Sequence, residues 1–268
     1  MDYATAFYSL AALMALLPSG IYCFRHADVR RPAAYWTLLA VAVAGPGAWA
    51  LAQVSGGWRA DFSSALWITI AATMALFFVM AMALKDAWRL TPLLILYMLL
   101  LGFLAMIWQH ASERGPGTVG PDGWVSLHIA VSVLTYAFAT LAALAALAAF
   151  LQERALKLKR PTKLTHKLPS VADSDRLLVR LLTLAALVLA FGVLSGMTTL
   201  YLETGRIFVF DHKSVFSVAA LGLIIALLLA HARTGLRGRR VARLVLAAYL
   251  LLTLGYPGVK FVTDVLMG

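Results

Sequence analysis

The chain is poor in the residues that most enzymes depend on. It has one cysteine in 268 residues, Cys23, so it can form neither an intrachain disulfide nor a CxxC redox pair, and no CxxCH haem-attachment site exists. Charged residues make up only 13% of the chain. The carboxylates are 12 in number and sit at the rims of apolar segments, none in mid-segment, which argues against a proton- or cation-coupled path of buried acids. No Walker loop, GxSxG, HExxH or zinc-type HxxxH occurs, and no catalytic triad pattern. Internal repeats and low-complexity tracts are absent too. These absences point to a binding protein and not to an enzyme.

What remains is apolar. Hydrophobic residues reach 62% and the mean hydropathy is +0.85. A soluble domain of this length does not need so much apolar surface, so the fold class expected is an all-α polytopic membrane bundle. Lipid offers no partner to a backbone N–H or C=O, and each span must therefore be a helix that satisfies itself. Eight apolar segments stand out, at 3–24, 34–54, 63–84, 91–110, 124–152, 177–201, 214–231 and 241–261, forming one transmembrane domain over 1–268. The first is not a cleavable signal, since its flank MDY is acidic and its positives, Arg25, Arg30 and Arg31, follow it. Of 23 Lys and Arg, 18 fall on one set of alternate connections and 5 on the other. That asymmetry places both termini outside and makes the basic connections cytoplasmic. The net charge of +11 thus reads as topology and not as nucleic-acid binding.

The stretch Trp124–Lys159 organises the chain. It opens with Trp124 and His128, runs apolar from Ile129 to Leu151, and closes in Arg154, Lys157, Lys159 and Arg160. Its helix is expected to reach about Lys159, where Pro161 stops it. His128, Ser132, Thr135 and Tyr136 lie at helical spacing and form a polar stripe that should face the bundle. The outer loop 111–123 is rich in Gly and Pro. The inner loop 153–176 is basic, serves as a topological anchor and could also meet acidic lipid head groups. Gly192-Val-Leu-Ser-Gly196 is a GxxxG that permits close helix approach, and Gly45-Pro46-Gly47 should kink span two.

Six histidines are present. His26 and His166 fall in basic loops. His110, His128 and His212 fall at outer span ends, and His231 ends span seven at the inner boundary. Imidazole ligates iron, copper and zinc, and haem iron often takes axial histidine. The plainer alternative for each is a side chain that faces water or a neighbouring hydrogen-bond partner.

Two blocks resemble a known family. Trp124–Lys159 is similar to the span that begins with an outer histidine in the cytochrome c assembly proteins of the CcsA, ResC and HemX superfamily. Asp211-His-Lys-Ser-Val-Phe-Ser217, the span up to His231, and Arg233-Thr-Gly-Leu-Arg-Gly-Arg-Arg240 resemble its D-P-K-E segment, its next span and its inner arginine-glycine turn. Gly255-Tyr-Pro-Gly-Val259 resembles its late aromatic-glycine stretch. The layout is nearest the smaller YpjD/HemX-like inner-membrane branch. The resemblance covers 110–268 by motif and the first four spans by hydropathy alone. It implies haem of b type, with His128 as an outer ligand and His231 as a ligand near the cytoplasmic side. It also implies other cytochrome-assembly membrane proteins as partners. Two features of the family are missing. Arg206-Ile-Phe-Val-Phe-Asp211 replaces its tryptophan-rich motif, with His212 in the proline position, and its outer C-terminal histidine has no counterpart. These departures weigh against attachment of haem to apocytochrome and leave haem binding, transfer or an accessory role.

The expected site is an outer pocket among spans four, five and seven, floored by Ser132, Thr135 and Tyr136. His128 stands at its wall, with His212, then His110, as candidates for a second ligand. The competing reading is a non-haem accessory or regulatory subunit, for example of a transporter. A small-molecule transporter is disfavoured by the lack of repeats and intramembrane acids.

Overall fold

The computed structural model describes residues 3–25, 32–55, 61–109, 123–205, 212–235, 238–258 and 261–262. Among the described residues every regular element is helical. Seven helices are long and apolar enough to cross a membrane. The chain divides into two compact units.

The first unit holds α1 (Tyr3–Arg25), α2 (Ala33–Ser55), α3 (Phe62–Ala83) and α4 (Thr91–Ile107), the last preceded by a 3-10 turn at Ala87–Leu90. Each helix packs on two others, α1 and α3 both lying against α2 and α4. Trp67, Ile70, Met74 and Phe77 of α3 are fully buried with Leu16, Leu39, Leu94 and Met98. Small residues set the approach: a Cβ on Gly45 would lie 2.4 Å from that of Ala15, so α1 and α2 touch there. The α2 helix runs without interruption through Pro46. The segment 162–169 belongs to this unit and is folded, with Thr162 and Thr165 bonding each other. Lys167 Nζ donates to the carbonyls of Cys23 and Phe24, both at 2.6 Å, and so caps the end of α1. This lysine of the basic loop is therefore bonded to the protein's own backbone.

The second unit holds α5 (Gly123–Lys157), α6 (Val171–Thr204), α7 (His212–Thr234) and α8 (Arg239–Thr253), followed by a π-helical turn at Leu254–Gly258. Here α5 packs on α6 and α8, and α7 packs on the same two helices from the other side. The centre is α5: 72% of its most apolar window is buried against 17% in α7, because the run Ala137–Ala149 is largely alanine and lets neighbours close in. The end of α5 is a Schellman motif. Arg160 N–H bonds to Ala155 O, Lys159 N–H bonds to Leu156 O, and Lys159 takes the left-handed conformation at φ 50°. The helix thus stops at Lys157, two residues before the expected Lys159. Ser170 accepts from Asp173 N–H to start α6, and Gly205 at φ 70° ends it. The eighth apolar segment is divided. Its α-helix covers only 15 residues before Leu254-Gly-Tyr-Pro-Gly258, rich in residues that disfavour an α-helix, widens into the π turn.

Candidate functional site

The site is built where α5 crosses α6. His128 stands less than two turns from the start of α5, half-buried, and its ring lies against Gly196. A Cβ at Gly196 would sit 2.9 Å from His128 Cε1, so only glycine leaves room for the imidazole there. Nδ1 of His128 is 2.9 Å from Ser195 Oγ, and the Ser195 hydroxyl donates to Gly192 O at 3.0 Å. Trp124, one turn before His128, donates from Nε1 to Ser195 O over a long 3.4 Å. One turn below, Gly192 faces Val131 and Thr135. The GxxxG pattern therefore does two things. Gly192 brings the helices together, and Gly196 seats a side chain.

The expected stripe divides by height and by side. Thr135 is buried and donates to Val131 O within α5. Tyr136 is buried on the α8 side and donates to Thr253 Oγ1 at 2.6 Å, and Thr253 in turn donates to Tyr249 O. Thr140 Oγ1 and Tyr249 OH are 3.0 Å apart, and the Tyr136 and Tyr249 rings lie 5.5 Å apart. A network of hydroxyls thus joins α5 to α8, pairing 136 with 253 and 140 with 249, so the two helices run antiparallel. Ser132 departs from the expectation of facing the bundle. It is exposed, and its hydroxyl is satisfied by the carbonyl of His128, which removes the cost of pointing outward.

His212 and His231 fall at definite depths. Phe216 of α7 meets Gly255, where an added Cβ would lie 3.1 Å from Phe216 Cβ. Phe216 is thus level with the region of Tyr136 and Thr253. Counting residues at 1.5 Å each from that level, the backbone of His212 and that of His128 lie within about 3 Å of the same depth. His231 lies roughly 30 Å further in, in the last turn of α7. His128 and His231 cannot share one iron and would serve separate sites. His110 falls outside the described residues, as does the Gly/Pro-rich loop up to residue 122, and α4 belongs to the first unit. Among the described residues no three His, Cys, Asp or Glu converge as a bare metal site.

The family of Cytochrome C assembly proteins matches residues 58–267. The chain belongs to the cytochrome c assembly family. The match to this family begins just before α3 and takes in all of α4 to α8, including His128, Ser195, Gly196 and the α5–α8 hydroxyl network. A relative in Azospirillum brasilense, named only as an uncharacterized 28.8 kDa protein in a nifR3-like 5' region, is 55% identical over 265 residues, covering 97% of this chain and 98% of its own. Cytochrome c assembly family members handle haem.

The sequence pattern singles out His128 and Tyr136 but not Ser195, Tyr249 and Thr253, which the fold sets against them. The available signal was the serine inside the GxxxG, a hydroxyl in an apolar helix that must bond either to its own backbone or to a neighbour.

Proposed function

We propose that the chain is a multi-pass, non-catalytic haem-binding protein of the bacterial inner membrane that acts in cytochrome c biogenesis or haem delivery. The eighth span is completed by α8 with its π turn, and both termini are outside. The observation that carries the reading is the seat of His128. The ring is half-buried, Nδ1 is engaged by α6, and among the described residues no hydrogen-bond partner meets Nε2. A single free imidazole nitrogen at a helix–helix crossing suits an axial position. The ligands would be His128 on the outer side, with His212 at matching depth as the second, and His231 for a separate inner site. His128 and His212 would hold the haem through ring nitrogens, the haem would supply the iron, and without a covalent thioether link it would be of b type. Tyr136 and its network fix α5 against α8 beneath the outer site.

Purification under haem-sufficient conditions tests the reading. A Soret band that weakens or shifts in His128→Ala supports it. A colourless wild-type protein contradicts it and favours a non-haem accessory subunit.

A further inference from the structure

Ser195 lies inside an apolar helix, is 3% exposed, and has one hydroxyl proton to give. That proton goes to Gly192 O on its own helix, at 3.0 Å. With its proton on Gly192 O, the serine oxygen accepts across the 2.9 Å contact with His128, which puts the imidazole proton on Nδ1 and the lone pair on Nε2. The chain of donors runs from His128 Nδ1–H to Ser195 Oγ–H to a helix carbonyl, where it ends. It fixes a tautomer and offers no route for a proton to travel. Two further contacts hold the arrangement. Gly196 leaves room for the Cε1 corner of the ring, and Trp124 reaches the backbone of the same serine.

We infer that Ser195 is a positioning residue: it locks neutral His128 as the Nδ1–H tautomer and leaves Nε2 as the only ligand atom of the ring. The inference rests on the haem-binding reading for its purpose but not for its geometry. A carbonyl or carboxylate does this for many metal-bound histidines, orienting the ring and raising its basicity. Here a serine does it, in a span where a carboxylate would be costly to bury. The serine's own bond back to Gly192 O is what makes it a reliable acceptor.

Nitrogen NMR of haem-free, histidine-labelled protein tests the lock, with His128 assigned by its absence from His128→Ala. The wild type should show His128 as a neutral ring protonated at Nδ1. Ser195→Ala should release the ring to a mixture of tautomers, and Ser195→Thr, which keeps the oxygen, should restore the wild-type pattern. A ring protonated at Nε2 in the wild type, or a tautomer unchanged in Ser195→Ala, overturns the inference. Circular dichroism and gel filtration on each variant identify any that have lost the fold. In those, the wild-type tautomer alone decides. Haem titration is read separately: Ser195→Ala should weaken binding about 10-fold or more, in line with the loss of an outer-shell partner. Wild type that takes up no haem while showing the Nδ1–H tautomer removes the haem reading and leaves the lock standing.

Discussion

Gly192 and Gly196 stand one turn apart on α6, yet an added methyl group would meet quite different neighbours. At Gly196 it would lie 2.9 Å from the His128 ring, which is held by Ser195 and cannot swing aside freely. At Gly192 it would lie 3.4 Å from a Val131 methyl, a tight but adjustable contact. Overpacking of the first kind costs about 1–3 kcal/mol. Gly196→Ala should therefore lower thermal stability and disturb the haem spectrum, while Gly192→Ala should do little to either. Equal behaviour of the two variants in melting and absorption would contradict the geometry. The position of His128 was legible in the sequence, because a histidine just inside a tryptophan-led span is conspicuous. Its partner was not, since Ser195 is 67 residues away and only the rotation of α6 about its axis decides which side chain meets the ring.

Between elements, the α5–α8 contact is held by hydroxyls in an apolar setting. Tyr136→Phe removes the 2.6 Å bond to Thr253, which keeps its own bond to Tyr249 O. Hydrogen bonds between membrane helices average about 0.6 kcal/mol and reach about 1.7. The loss should fall in that range, and a double-mutant cycle with Thr253→Val should assign most of it to the pair. Coupling near zero would mean that the network does not hold the helices together. At the inner end of α1, Lys167→Met should cost about 1–2 kcal/mol, because two helix carbonyls lose a charged donor. The expected readout is a lower melting temperature with faster amide exchange in the last turn of α1, and an unaltered exchange pattern would argue against the cap. The extents of α1, α2 and α3 were legible to within a residue, since length and hydropathy are fixed by the bilayer, whereas α5 ends five residues later, α6 begins six residues earlier and the α-helix of α8 ends eight residues earlier than the apolar runs imply. The fold of 162–169 was not, because Lys167 bonds to backbone carbonyls 144 and 143 residues away in sequence and no side-chain pattern announces such a partner.

Across the whole molecule, the all-helical character and membrane-spanning nature follow from composition alone, and the family follows from blocks in the second half. The grouping into α1–α4 and α5–α8 was not legible, because apolar runs do not state which runs they pack against. The charge asymmetry of 18 to 5 predicts an outside C-terminus. A C-terminal alkaline phosphatase fusion should be active and a fluorescent protein fusion there dark, and the reverse pattern would overturn the eight-span layout. The central claim is that His128 offers Nε2 to a haem iron. The absorption spectrum of purified protein, taken for wild type beside His128→Ala and His231→Ala, tests it most directly. Wild type should show a Soret band that His128→Ala weakens or shifts, with a distinct change in His231→Ala if that residue holds a separate haem. A band that His128→Ala leaves untouched, or no band in wild type, would contradict it.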